Sequence, residues 1–131
     1  MILGRLQPLT GIIRVFNAEP GTPESNIPGR VVGYMPQELA LFELLTIKEV
    51  LHYYGQIYGL EASTIDEKVE HFISFLNLPT SERKVGQLSG GQQRRVSLAV
   101  TLIHEPPLLI LDEVSTRFCS FIDCNCGKRK Q

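Results

Sequence analysis

The chain reads as an α/β fold, a parallel sheet joined to a block of helices, and two neighbouring patterns near its carboxyl end predict it. Val96, Ala99, Val100 and Ile103 recur at helical spacing, so one side of that helix is buried. Leu108 to Leu111 then form a short continuous apolar run of the kind found in buried parallel strands. Pro106-Pro107 separates the two, because proline lacks the amide a helix needs and restricts the residue before it. Ser89, Gly90 and Gly91 open the helix, where backbone amides lack intrahelical acceptors and can hold an anion. Ser89 can cap it and offer a hydroxyl, and the glycines permit close approach. Asp112 and Glu113 follow the apolar run, at the strand end where open α/β sheets place their ligands. Paired acids there suit magnesium and a water to be activated.

Composition bounds the alternatives. With 131 residues and 43% hydrophobic content, the chain can form one modest core or part of a larger one. A formal net charge of −1 supplies no broad basic field for nucleic acid, so no such partner is expected. No apolar run is long enough to span a bilayer, and Met1 to Arg5 contain no extended signal region. All three cysteines (Cys119, Cys124, Cys126) lie near the end rather than through the chain, which favours a reduced protein over a disulfide scaffold.

Taken in order, Ile2 and Leu3 read as the tail of an apolar helix and Gln7 to Gly11 as a turn. Ile12, Ile13, Val15 and Phe16 predict an edge strand, followed by a Pro- and Gly-punctuated loop. Val31 and Val32 suit a short strand that Pro36 must end. Leu39 to Leu45 is an apolar connection. Thr46-Ile47-Lys48-Glu49 is a capping box, and Ile47, Val50, Leu51 and Tyr54 mark the buried side of its helix, which Gly59 ends. Thr64 to Glu67 predicts a second capping box, with Val69, Phe72, Ile73 and Leu76 buried and Leu78-Pro79 as the stop. His52 and His71 lack ligand partners at metal spacing and read as surface or packing residues. Arg94 and Arg95 read as polar-face residues with a structural role.

Leu88-Ser89-Gly90-Gly91-Gln92 resembles the signature sequence of the ATP-binding-cassette (ABC) transporter ATPases. Leu108 to Glu113 resembles their Walker B strand, and Gln37 stands where the family places its Q-loop glutamine. The wording Gly33-Tyr34-Met35-Pro36-Gln37-Glu38 is closest to the G and H subfamilies and related bacterial exporters. The resemblance implies a partial P-loop NTPase of the ABC type, with a helical subdomain and a truncated core sheet. It divides the chain into core through the Q-loop (1–38), helical subdomain (39–101), return to the core (102–116) and a divergent, disordered tail (117–131).

The same resemblance implies that ATP is bound through Gln37, Ser89, Gly90, Gly91 and Gln92. It implies that Asp112 and Gln37 serve magnesium and that Glu113 is the general base. The partners implied are a second nucleotide-binding domain and a transmembrane domain, on the cytoplasmic side of a membrane, with the surface around Leu39 to Leu45 receiving the membrane subunit. Two departures stand against the pattern. No Gly-x-x-x-x-Gly-Lys-Ser/Thr phosphate loop occurs in the sequence, and Glu113 is followed by Val114 in place of the family's proline, with Ser115 keeping the small hydroxyl and Cys119 near the usual aspartate. This chain by itself is therefore expected to be inactive as an ATPase. The alternative is a truncated, catalytically inactive product serving at most as an interaction module.

Overall fold

The computed structural model describes residues 2–5, 8–27 and 29–112. Strand β1 (Val32–Met35) leads through an apolar connection to helix α1 (Ile47–Ile57) and helix α2 (Ala62–Phe75). A 3-10 turn (Val85–Gln87) precedes helix α3 (Gly90–Leu102), which returns the chain to strand β2 (Leu108–Leu111). β1 and β2 pair in parallel, with Val32 opposite Leu108 and Met35 opposite Leu111. Parallel strands require a long crossover, and here all three helices lie within it. β2 is only half-buried rather than buried along its length, since among the described residues β1 is its sole strand neighbour.

Helix starts follow side-chain chemistry where the local capping geometry is satisfied. Thr46 accepts from the Glu49 amide at 3.2 Å, while Glu49 accepts from the Thr46 amide at 2.8 Å. That backbone donor, more than any other group, holds the Glu49 carboxyl below its ordinary pKa. The second expected box does not form. α2 begins at Ala62 behind Glu61, so Thr64 already lies within its first turn. α2 also stops before Leu78-Pro79, at Phe75, with Asn77 in the left-handed region at φ 48°. Asparagine tolerates that conformation better than most residues. Gly59, at φ +70°, follows the α1 cap as its sequence position predicts.

The expected edge strand at Ile12 to Phe16 is replaced by a tight reversal. Phe16 and Asn17 have φ 51° and 66°, and Val15 and Ala18 exchange backbone hydrogen bonds of 2.8 and 3.1 Å. Among the described residues no strand pairs with this stretch to satisfy its local β-propensity. Ile2 and Leu3 lie in a turn, not in a helix.

The core sits between the helices and the inner side of β1. Ile47, Val50 and Leu51 of α1, Ile65 and Val69 of α2, and Val96, Leu98 and Ala99 of α3 are buried with Met35 and Ile103. Gly55 belongs to this contact, since a Cβ there would lie 2.7 Å from the Ile65 Cδ1. His52 is placed at the helix surface, where its Nε2 lies 2.9 Å from Asp66 Oδ1, and Lys48 Nζ lies 3.1 Å from the same oxygen. Hydrogen bonding from His52, then Lys48, lowers the Asp66 pKa. His71 stacks on Phe75, ring centroids 5.7 Å apart.

At the sheet end of the core, Gly33 meets the last turn of α3. A Cβ on Gly33 would stand 2.7 Å from Pro106 Cγ and 2.9 Å from the Thr101 carbonyl oxygen. The Thr101 side chain is itself fixed by donating to the Ser97 carbonyl at 2.8 Å. Gly33→Ala should therefore destabilise the fold by about 1–3 kcal/mol through overpacking. A urea titration followed by circular dichroism checks this, with Gly91→Ala, at an open position, as the comparison.

Candidate functional site

The parallel register brings the two strand exits to one edge. Met35 and Leu111 are opposite each other, so Pro36-Gln37 and Asp112 leave the sheet side by side. The Asp112 amide donates to the Met35 carbonyl at 3.1 Å, extending the ladder beyond the last strand residue. Gln37 and Asp112 are both exposed, so neither side chain is committed to the core. Glu113, the expected base, lies outside the described residues, as do the tail and its cysteines.

Arg94 joins this edge to α3. Its Nη1 donates to the Pro36 carbonyl at 3.0 Å and to the Gln37 carbonyl, and its Nη2 donates to the Asp112 carbonyl at 3.4 Å. The sequence reading assigned Arg94 a structural role on a polar face. The contacts make that role specific, since one guanidinium spans both strand exits. Its place one turn into α3 was the available signal, and helical periodicity alone cannot say which backbone it reaches. Arg95 turns instead to the Leu76 and Asn77 carbonyls, both at 3.0 Å.

The amino end of α3 forms the second part of the site. Ser89 is the N-cap, with its Oγ accepting from the Gln92 amide at 3.3 Å. Gln92 Oε1 accepts from the Ser89 amide at 3.0 Å, completing a capping box. Gln92, predicted as a nucleotide contact, thus has a local cap role that the sequence reading missed although the Ser-x-x-Gln spacing signals it. The Ser89 hydroxyl proton remains available for donation, because its oxygen is the cap acceptor. Gly90 and Gly91 are exposed, and a Cβ at either would meet nothing within 4 Å. The cap is braced from below by Gln93, whose Nε2 donates to the Val85 carbonyl at 3.1 Å. Gly86, on the same 3-10 turn, donates its amide to the Glu43 carbonyl at 2.9 Å.

This arrangement can receive an anion at a helix amino end where small residues leave the backbone uncovered. Among the described residues no group of three or more His, Cys, Asp or Glu side chains could hold a metal by itself. An exposed carboxylate such as Asp112 fits a different kind of site, in which magnesium takes one or two protein ligands and completes its shell with phosphate and water.

The family described as "ABC transporter" matches residues 1–116. The chain belongs to the ABC transporter family. ABC transporter G family member 23 of Dictyostelium discoideum is 43% identical over 121 residues, covering 92% of this chain and 17% of that protein. The uncharacterized ABC transporter ATP-binding protein YxlF of Bacillus subtilis is 33% identical, covering 86% of this chain and 37% of its own length. The chain thus spans well under half of either relative. A solved ATP-binding subunit of an ABC transporter superposes with a TM-score of 0.69 at 25% identity, over 86% of this chain and 47% of that one. The fold of the ATP-binding cassette MJ0796, in a dimeric post-hydrolysis state bound to ADP and Pi, matches with a TM-score of 0.68 at 23% identity, over 88% of this chain and 56% of that one. These ABC ATPase neighbours bear out the α/β, P-loop NTPase-type class read from the sequence.

Loss of the Ser89 cap should be felt locally. Ser89→Ala should cost about 1 kcal/mol of stability, whereas Ser89→Asp, which retains a cap acceptor, should stay near the parent protein. Chemical denaturation of the three proteins measures the difference.

Proposed function

We propose that this chain supplies the Q-loop, helical subdomain, signature and Walker B strand of an ABC transporter's ATP-binding domain, and so takes part in the ATP binding and hydrolysis that power transport across a membrane. The proposed segments are core through the Q-loop (1–38), helical subdomain (39–101) and return to the core (102–116), with 117–131 a divergent tail. The observation that carries the reading is the capped, uncovered amino end of α3, where Ser89, Gly90 and Gly91 leave backbone open to an anion.

In this reading Ser89, Gly90 and Gly91 receive the terminal phosphate of ATP, with Gln92 holding the cap that presents them. Gln37 and Asp112 serve magnesium, and Glu113 accepts the proton of the attacking water. Bound magnesium would neutralise charge that builds on the transferred phosphoryl group. A second nucleotide-binding domain supplies the phosphate loop that faces this signature. A transmembrane domain is the other partner, which places the chain on the cytoplasmic side of a membrane. No helix among the described residues is long and apolar enough to cross one. The apolar surface of Leu39, Phe42, Leu44 and Tyr53 supports such a contact, because all four are substantially exposed.

A photoreactive ATP analogue tests the composite site. With a complete homologous ATP-binding domain present, labelling should occur close to Ser89 and should fall at least about tenfold in a Gly90→Trp variant that blocks approach to the backbone. No labelling near Ser89 in the parent chain would overturn the reading in favour of a catalytically inactive interaction module.

Hydrolysis gives a separate prediction. The 131-residue chain alone should turn over magnesium-ATP no faster than its Glu113→Gln variant, since neither contains the phosphate-loop lysine and amides that hold the nucleotide in line with water. Phosphate release from both proteins at saturating ATP measures this. Turnover in the parent that disappears in the variant would require another phosphate-binding segment within these residues.

A further inference from the structure

We infer that Arg94 is a positioning residue that sets the backbone of both strand exits from the signature helix. Its guanidinium reaches the carbonyls of Pro36, Gln37 and Asp112, which belong to segments far apart in sequence. The first two follow β1 and the third follows β2. The ladder bond from the Asp112 amide to the Met35 carbonyl joins the two strands but leaves the Pro36, Gln37 and Asp112 carbonyls to be tied to α3 by Arg94. A fork of several N–H donors on one rigid plane can satisfy a cluster of acceptors at once, and its charge strengthens each bond.

The consequence is mechanical. α3 carries Ser89, Gly90 and Gly91 at its start, and Arg94 stands just beyond them on the same helix. A rotation or shift of α3 therefore pulls on the backbone that presents Gln37 and Asp112. The Asp112 backbone is held through both of its polar groups, its amide donating to the Met35 carbonyl and its carbonyl accepting from Arg94. Arg95, the next residue, has a different part to play. It closes on Leu76 and Asn77 at the end of α2 and reaches neither strand exit. Adjacent arginines of one helix thus tether α3 to the sheet edge and to α2 respectively.

The functional meaning of this link rests on the proposed nucleotide roles of Gln37 and Asp112, but its test requires no nucleotide. Amide exchange and carbonyl carbon-13 shifts are measured by nuclear magnetic resonance on the full chain and on Arg94→Gln, Arg94→Lys and Arg95→Gln. In Arg94→Gln the Pro36, Gln37 and Asp112 carbonyl signals should move, and exchange of the Asp112 amide should rise about tenfold, as loss of charge-assisted bonding predicts. Amides within α1 and α2 should change less than about twofold, since their protection reports wider opening. Lysine should restore part of the effect, because a single ammonium keeps the charge without the fork. Arg95→Gln should move the Leu76 and Asn77 signals and leave the strand exits unchanged. A uniform rise in exchange across α1, α2 and Asp112, or unmoved carbonyl signals at the strand exits, would overturn the inference and leave Arg94 a contributor to stability alone. Should Arg94→Gln fail to fold, Arg94→Lys decides by the same comparison. Failure of ATP labelling at Ser89 would bear on the nucleotide reading without altering these outcomes.

Discussion

Parallel pairing of β1 with β2 is the constraint on which the arrangement depends. Two parallel strands point their carboxyl ends the same way, and the chain between them must cross over to return. The register that sets Met35 against Leu111 therefore delivers Gln37 and Asp112 to one edge. The crossover carries α1, α2 and α3, so the element that brings Asp112 back to the edge is also the one that begins with Ser89, Gly90 and Gly91. One topological requirement thus brings the candidate groups into a common framework.

Close packing makes that framework rigid enough to position them. Gly33 lets β1 approach α3 and the Pro106 turn, and Gly55 lets α1 approach α2. Around these contacts, Ile47, Leu51, Val96 and Ala99 are fully buried. Polar links reinforce the ends of the helices where apolar packing thins out. Lys68 Nζ lies 2.8 Å from Glu105 Oε1, joining α2 to the turn before β2. Arg30 donates to the Tyr58 carbonyl, and the Tyr58 ring stacks on His104 with centroids 3.8 Å apart. Burial there, foremost among several influences, lowers the His104 pKa and favours a neutral ring in that stack. The core and its tethers hold the helices against the sheet, while Gln37, Asp112, Gly90 and Gly91 remain exposed.

Local rules succeeded where a few neighbouring residues complete the interaction. Thr46 and Glu49 form their reciprocal cap, and Ser89 caps α3, because each acceptor and donor lies within one helical turn. The same spacing at Thr64 to Glu67 was insufficient, since the chain had already entered α2 at Ala62. Ile12 to Phe16 had strand-like composition, yet a strand needs a partner, and the backbone instead reverses at Phe16 and Asn17. Pro79 is a strong helix stop, but α2 ended earlier, with Asn77 in the left-handed region.

By itself, the sequence determined the α/β class, the buried sides of α1 and α2, the burial of Val96, Ala99 and Ile103 but not that of Ser97, Leu98 and Thr101 in α3, the caps at Thr46 and Ser89, and the motifs that mark the family. These depend on periodicity, short-range hydrogen bonding and residue order, all of which can be read along the chain. Only the tertiary structure decided that Gly33 and Gly55 are points of close approach, that Asp66 receives both His52 and Lys48, and that Arg94 holds Pro36, Gln37 and Asp112 together. The physical reason is distance through the fold: a side chain's partner across the sheet edge is chosen by packing and strand register, which no local spacing specifies.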